Sequence, residues 1–327
     1  MAEMEFREAL GLAISEEMER DENVFLIGEE VDEYNGAYKV SRGLGEKFSD
    51  LRVVDTPISE AGFAGLGIGA AMAGLRPVVE FMTWSFSPVA FDQLVNNAAK
   101  IRYMSGGQIS LPVTFRGPSG VVHQLAATHS HAVESWFAHV PGLKVVACST
   151  PARGKGLLKA AIRDDDPVLF LESEKMYGMK GEVSEDPGFT LPLHKAKIFK
   201  EGKDLTILAY SSRLHQALEA AEKLEEEGIE AEVIDLVSLR PLDEATILDS
   251  VRKTNRLVTV EESWASCGIG ATIVDFVQRE AFDYLDAEMR RVTLEDVPMP
   301  YNEKLEAKAQ PDPEKIMSAA KKTLYMD

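Results

Sequence analysis

The chain has 327 residues, 45% hydrophobic and 27% charged, which suits two globular units of ordinary size and excludes a disordered or fibrous protein. Its 35 Lys and Arg against 54 Asp and Glu leave a net charge of -19. This argues against a nucleic-acid or anionic-membrane partner, because phosphates require clustered cations.

Phe6 to Arg20 carries apolar residues at helical spacing. A strand follows at Val24 to Ile27, then a polar loop rich in Gly and Tyr from Asp32 to Gly43. Arg52 to Asp55 reads as a strand, Ser59 to Gly74 as a helix, Pro77 to Met82 as a strand and Phe86 to Met104 as a helix. Pro112 to Arg116 is a strand leading into a long loop, Gly117 to His131. Leu143 to Ala147, Ala152 to Arg163 and Val168 to Glu172 read as strand, helix and strand. Gly178 to Glu201 has linker composition. The alternation then resumes: strands at Leu205 to Tyr210, Ala231 to Leu236, Leu257 to Glu261 and Arg291 to Leu294. Helices are expected at Leu214 to Glu227, from Pro241 and Asp243 onward, and at Ile269 to Tyr284. The expected fold class is α/β, with two doubly wound, mostly parallel-sheet domains at 1–190 and 191–327.

The acidic N-terminus lacks the basic start and apolar run of a signal peptide. The run from Ala61 to Leu75 is too short to span a bilayer. Cys148 and Cys267 form no CxxC pair, which points away from a disulfide framework or a cysteine zinc site. The expected compartment is the cytoplasm, or an organelle matrix if a transit segment has been removed.

Several stretches can carry chemistry. In Asp55-Thr56-Pro57-Ile58-Ser59-Glu60 a strand ends, Pro57 forces an extended turn and Ser59 is placed to cap a helix. Glu60 then lies in the first helical turn at the C-terminal edge of a parallel sheet, where α/β proteins bind ligands. The plainer reading is a carboxylate favoured by the helix dipole. Ala61, Gly65, Gly69 and Ala73 share one helix face, suited to packing within the domain or to a close crossing at a subunit interface. His123, His129, His131 and His139 cluster in one segment, as surface or packing residues or as catalytic ones. No zinc spacing accompanies them. Cys267-Gly268-Ile269-Gly270 looks like a truncated dinucleotide fingerprint and reads as a tight strand-to-helix turn.

Longer runs resemble a known family. Gly28-Glu29-Glu30-Val31, Gly36 to Leu44, Asp55 to Glu60, Gly69 to Pro77 and Phe91-Asp92-Gln93 are similar to the beta subunits of thiamine diphosphate-dependent pyruvate dehydrogenases, within the transketolase-like family. So are Tyr103 to Gly107, Phe115 to Pro118, His129-Ser130, Pro141 to Val146 and Asp296 to Pro300. The similarity covers nearly the whole chain, in order.

The resemblance implies a pyrimidine-binding N-terminal domain and a transketolase C-terminal-like domain. It implies Glu60 as the carboxylate facing the aminopyrimidine ring of thiamine diphosphate, with Ile58, Met82 and Phe86 around that ring and His129 as an active-site histidine. It implies a potassium site using the carbonyls of Val113, Ala161, Ile162 and Asp164, plus Asp166. The alternative for Asp164 to Asp166 is a solvated acidic turn. The substrate implied is pyruvate, with acetyl transfer to lipoyl groups of a dihydrolipoyl acyltransferase core. Asp286 is the candidate contact to that core.

Thr128, His131 and Val89 depart from the pyruvate-type pattern, which leaves acetoin and branched-chain 2-oxo acids as alternatives; branched-chain relatives differ more strongly around Tyr34 to Gly43 and Met82 to Phe86, which favours pyruvate, and acetoin-cleaving relatives are closer. A non-catalytic nucleotide-binding or electron-transfer subunit stands as an alternative of another class. The sequence holds no Gly-Asp-Gly motif, which in the wider family carries magnesium and the diphosphate. The expectation is therefore an alpha subunit that supplies them, in an alpha-two-beta-two heterotetramer.

Overall fold

A computed structural model describes residues 1–326. Among these residues, a seven-stranded sheet runs in the order Ser238–Arg240, Lys144–Ala147, Val168–Glu172, Thr114–Pro118, Arg76–Glu80, Val24–Gly28, Val53–Asp55. Every neighbouring pair is parallel except the first, which is antiparallel. A five-stranded sheet has the order Arg290–Leu294, Leu257–Trp264, Leu205–Ala209, Ala231–Asp235, Lys197–Lys200, with only the last antiparallel. The central strands are buried along their whole length and read as continuous apolar runs, as parallel strands covered on both faces do.

The two units are knit together. Ser238–Arg240 belongs to the second half of the chain, yet it pairs with Lys144–Ala147 of the first sheet. One apolar cluster joins Phe81, Trp84, Phe137 and Leu169 of the first unit to Leu208, Tyr210 and Ile247 of the second.

The structure corrects several local expectations. The helix expected over Phe86 to Met104 is broken into a 3₁₀ stretch at Trp84–Ala90, a π stretch at Gln93–Ala98 and an α turn at Ile101–Met104. Pro88 lies inside the first stretch, where it has no N–H to give a regular helix. The linker composition of 178–201 hides two strands. Lys180–Val183 pairs antiparallel with Ala2–Glu5, and Lys197–Lys200 forms the edge of the second sheet. The helix expected to open at Pro241 starts at Glu244, with the Asp243 carboxylate accepting from Thr246 N–H at its N-terminus. Ser59 stands at the N-terminus of the helix Glu60–Met72 but makes no capping bond through its side chain.

Candidate active site

Three neighbouring parallel strands deliver their C-terminal ends to one edge. Gly28 is in register with both Asp55 and Glu80. The residues just beyond those ends therefore lie along one edge: Glu29 after the first strand, Glu60 after the turn that follows the second, and Met82 two residues beyond the third. Asp55 ties down the intervening loop, its carboxylate accepting from Asp32 N–H at 2.7 Å and Glu33 N–H at 3.1 Å.

Glu60 is 6% exposed and opens the helix Glu60–Met72. Its immediate surroundings are acidic. Glu29 and Glu80 are also buried, and Oε1 of Glu29 has no hydrogen-bond partner. Burial, reinforced by the charges of Glu60 and Glu80, pushes the Glu29 carboxyl up to about 7. Glu80 is raised by burial against the pull of Arg116. Arg116 is itself buried, with Nε donating to Glu172 Oε1 at 2.6 Å and a further bond to Glu80. Tyr177 closes this set by donating its hydroxyl to Glu172 Oε2 at 2.7 Å. One guanidinium thus serves two carboxylates and leaves Glu29 without a cation.

His129 and Phe86 come together, their rings edge-on with centroids 5.2 Å apart. His129 Nδ1 lies 3.0 Å from Thr128 Oγ1. Met82 and Phe86 are half-buried. Ile58, by contrast, is 82% exposed and packs into no core. Leu66, Met72, Val89 and Phe91, in the elements that follow, are exposed as well. The small-residue face divides: a Cβ on Gly65 would approach Gln93 Oε1 within 3.2 Å, whereas one on Gly69 would meet nothing. The first half packs within the chain and the second half is free.

Of the other histidines in the segment, His131 stays near His129. His131 donates its backbone N–H to Ser85 Oγ at 3.1 Å, and burial and the neighbouring His129 hold its imidazole below the usual value. His123 and His139 are exposed.

The oxygens assigned to potassium lie at the opposite end of the same sheet. Val113 precedes the strand Thr114–Pro118, and Ala161 to Asp166 precede Val168–Glu172. Arg76 Nη1 donates to the carbonyls of Ile162 and Asp164, each at 3.2 Å. Val168 N–H donates to Val113 O at 3.0 Å and Asp164 N–H to Ala161 O at 3.1 Å. Asp166 pairs with Arg102 and with Lys144. Each carbonyl keeps a second lone pair, but Arg76, Lys144 and Arg102 already engage Ile162, Asp164 and Asp166, so a cation there would compete with three side chains.

The Gly268-Ile269-Gly270 turn is filled from within. Glu261 Oε2 accepts from Gly270 N–H at 3.1 Å. A Cβ on Gly268 would sit 2.7 Å from that oxygen, and one on Gly270 would sit 2.6 Å from Glu261 Oε1. A carboxylate of the chain occupies the place that a phosphate takes in a dinucleotide fold. The glycines serve that contact, and the turn offers no nucleotide site.

Comparison with known proteins agrees with the two-unit fold. The model of the transketolase pyrimidine-binding domain matches residues 2–180, and that of the transketolase C-terminal domain matches residues 194–316. The chain is 56% identical over 326 residues to the mitochondrial pyruvate dehydrogenase E1 component subunit beta-2 of Oryza sativa subsp. japonica, covering 99% of this chain and 87% of that one.

This chain belongs to the pyruvate dehydrogenase E1 beta subunit family.

The E1 beta subunit of Rickettsia conorii is 52% identical, with 98% of each chain covered. That of Rhizobium meliloti is also 52% identical, covering 99% of this chain and 71% of that one. Among solved structures, a split-gene transketolase described as an inactive beta4 tetramer superposes with a TM-score of 0.81 at 25% identity, over 98% of both chains. A transketolase-like E1 beta chain implies dependence on thiamine diphosphate. Residues that sequence reasoning left without a role, Glu29, Glu80 and Arg116, stand at the same sheet edge, with Glu29 near both Glu60 and Glu80. Glu29 lies in one of the runs that carry the resemblance, and strand adjacency is what brings it to the site.

Proposed function

We propose that this chain is the beta subunit of a pyruvate dehydrogenase, acting in the oxidative decarboxylation of pyruvate with acetyl transfer to lipoyl groups. In this reading it contributes the pyrimidine half of a shared thiamine diphosphate site, with residues 1–190 as the pyrimidine-binding unit and 191–327 as the C-terminal unit. The observation that carries it is the buried Glu60 at the sheet edge, beside an unpartnered buried oxygen of Glu29. Such an edge fits a nitrogen base that shares a proton and does not fit another anion.

When bound, thiamine diphosphate supplies the electron sink for decarboxylation. Glu60 would hold a proton against a ring nitrogen of the pyrimidine. Met82 and Phe86 would flank the ring, and Ile58 would meet it from the exposed side. His129, set against Phe86, would stabilise the substrate as it reacts. The diphosphate and magnesium fall to an alpha subunit, because the chain has no Gly-Asp-Gly and its site edge is acidic. Exposed Ile58, Leu66 and Met72 and the free half of the small-residue face mark the side for that partner, in an alpha-two-beta-two assembly. Potassium at the Asp164 turn would brace the sheet from its other end. A dihydrolipoyl acyltransferase core would dock on the C-terminal unit near Asp286. Cytoplasm or an organelle matrix is the compartment this reading requires; among the described residues no helix is long and apolar enough to cross a membrane.

The test is reconstitution. The purified chain alone should neither bind thiamine diphosphate tightly nor decarboxylate pyruvate, and adding the alpha chain should restore both. Micromolar cofactor affinity and turnover from this chain by itself would sink the split site. A reconstituted enzyme that prefers branched-chain 2-oxo acids or acetoin would reassign the substrate.

A further inference from the structure

We propose that the C-terminal unit positions the loop carrying His129, and that Glu306 is the positioning residue at that loop's strained turn; this rests on the reading of His129 as an active-site residue. The loop leaves the strand Thr114–Pro118 and ends at the short helix Glu134–Ala138. It is docked on the C-terminal unit at three points. At its start, Val121 N–H donates to Glu262 Oε1 at 2.5 Å, and the Val121 side chain packs with Leu294, Met299 and Ala309. The neighbouring Gly120 has φ of +83°, and a Cβ there would lie 2.6 Å from Glu262 Oε1, so the carboxylate rests directly on the backbone. In the middle, Gln124 N–H donates to Glu306 Oε2 at 2.9 Å. At the end, the Tyr210 hydroxyl donates to Glu134 Oε1 at 2.8 Å.

The middle contact bears most closely on His129. Gln124 and Ala126 have φ of 52° and 63°, a region that L-residues hold only when their surroundings require it. The 3₁₀ turn Ala127–His129 follows at once, with His129 N–H donating to Ala126 O at 3.3 Å. The loop has little packing of its own to keep it there, since His123, Leu125, Ala127 and Thr128 are exposed. Segments of that kind sit at the low end of local stability unless something outside holds them.

Glu306 is equipped to do so. It is 4% exposed, and its carbonyl accepts from Gln310 Nε2 at 3.0 Å. Gln310 Oε1 in turn accepts from Lys175 Nζ at 2.6 Å and Arg213 Nη2 at 2.8 Å. Arg213 also donates through Nε to Glu262 Oε2 at 2.8 Å. Glu306 joins the Glu262 set through its backbone carbonyl, and Lys175 Nζ also lies 3.9 Å from Glu306 Oε1. A carboxylate accepting a backbone N–H makes a charge-assisted bond, and burial keeps water from competing for it. A shift of roughly 1 Å in a group that touches substrate can cost on the order of 100-fold in rate.

The experiment compares wild type, Glu306→Ala and Glu306→Gln, each assembled with the alpha chain. It records kcat and KM for pyruvate, amide hydrogen exchange over residues 121–131 and the melting temperature. Gln retains an oxygen that can accept from Gln124. The Ala variant should lose about tenfold in kcat with little change in KM and exchange faster in the loop, while the Gln variant stays within about twofold of wild type. If the Ala variant does not fold, Glu306→Asp takes its place: the shortened side chain draws the acceptor back, and it should loosen the loop more than Gln does. Wild-type loop exchange in a folded Ala or Asp variant overturns the proposal. So does equal loss in the Ala and Gln variants, or faster exchange with unchanged turnover. If the wild-type assembly itself fails to act on pyruvate, the functional reading fails, and the exchange measurement still decides whether Glu306 orders the loop.

Discussion

Glu134→Gln should make the fold more resistant to alkaline conditions, and the size of the effect follows from where Glu134 sits. The carboxyl is 3% exposed at the junction of the two units. Its side-chain hydrogen-bond partner is the neutral hydroxyl of Tyr210, at 2.8 Å. Burial moves it from its ordinary 4.5 to about 8, with Glu261 and Glu262 nearby adding to the rise. The folded state therefore binds this proton more tightly than the unfolded chain does. The stability it confers is fully present below about pH 4.5 and is lost as pH rises through about 8. At about 1.36 kcal/mol per tenfold change in proton affinity, the loss approaches roughly 4 kcal/mol by pH 8. With an unfolding entropy of roughly 2.1 cal/mol/K per residue, that corresponds to about 6 °C in melting temperature. Gln keeps an oxygen to accept from Tyr210 and carries no charge. It adds a buried N–H₂ whose cost does not depend on pH, so the informative quantity is the difference between the two melting curves across pH 5 to 8.5. The wild type should fall relative to the variant as pH rises. A gap that stays constant over that range would refute the burial of an uncompensated carboxyl at this junction.

Glu60→Gln should preserve folding and assembly but lower turnover about tenfold to a hundredfold, in keeping with the typical worth of a general acid-base group; near wild-type turnover in the assembled variant would remove Glu60 from the mechanism. Potassium should raise the melting temperature more than sodium at equal ionic strength, and Asp166→Ala should abolish the difference; identical curves in the two salts would reject a potassium site at this turn. Asp286→Ala should weaken association with the acyltransferase core and flatten its salt dependence. Asp286 is already paired with Arg256 at 3.4 Å, so the variant also frees that cation. An unchanged affinity and salt slope would reject Asp286 as a contact.

What could be read from the sequence was whatever depends on local pattern. Phe6–Arg20 and Val168–Glu172 have the bounds that their apolar spacing indicates. The Asp55-to-Glu60 turn places its carboxylate where a strand-turn-helix rule puts it. Features made by distant partners were not visible. Lys180–Val183 is a strand because Ala2–Glu5 lies beside it, and Ser238–Arg240 because the first sheet has a free edge at Lys144–Ala147. The same distinction divides the site. Glu60 is announced by its own neighbours, whereas Glu29 acquires its environment from Glu80 on an adjoining strand. The grip of Glu306 on Gln124 spans 182 positions and leaves no local trace.

The charge distribution around that edge explains why one chain would hold only part of a cofactor. Glu29, Glu60, Glu80 and Glu172 are all buried there, and the buried cation bonded among them is Arg116, already engaged with Glu80 and Glu172. Each further negative charge brought to the edge would meet Glu60 and Glu80 across a poorly screened interior. Burial first, and repulsion from Glu60 and Glu80 second, push the Glu29 carboxyl up to about 7. A diphosphate has no such option at neutral pH and would require cations or a cradle of backbone donors. A pyrimidine nitrogen, in contrast, accepts or shares a proton without adding negative charge. In the proposed reading, the acidic edge would favour the neutral end of the ligand and disfavour the anionic end, which would fall to a different surface.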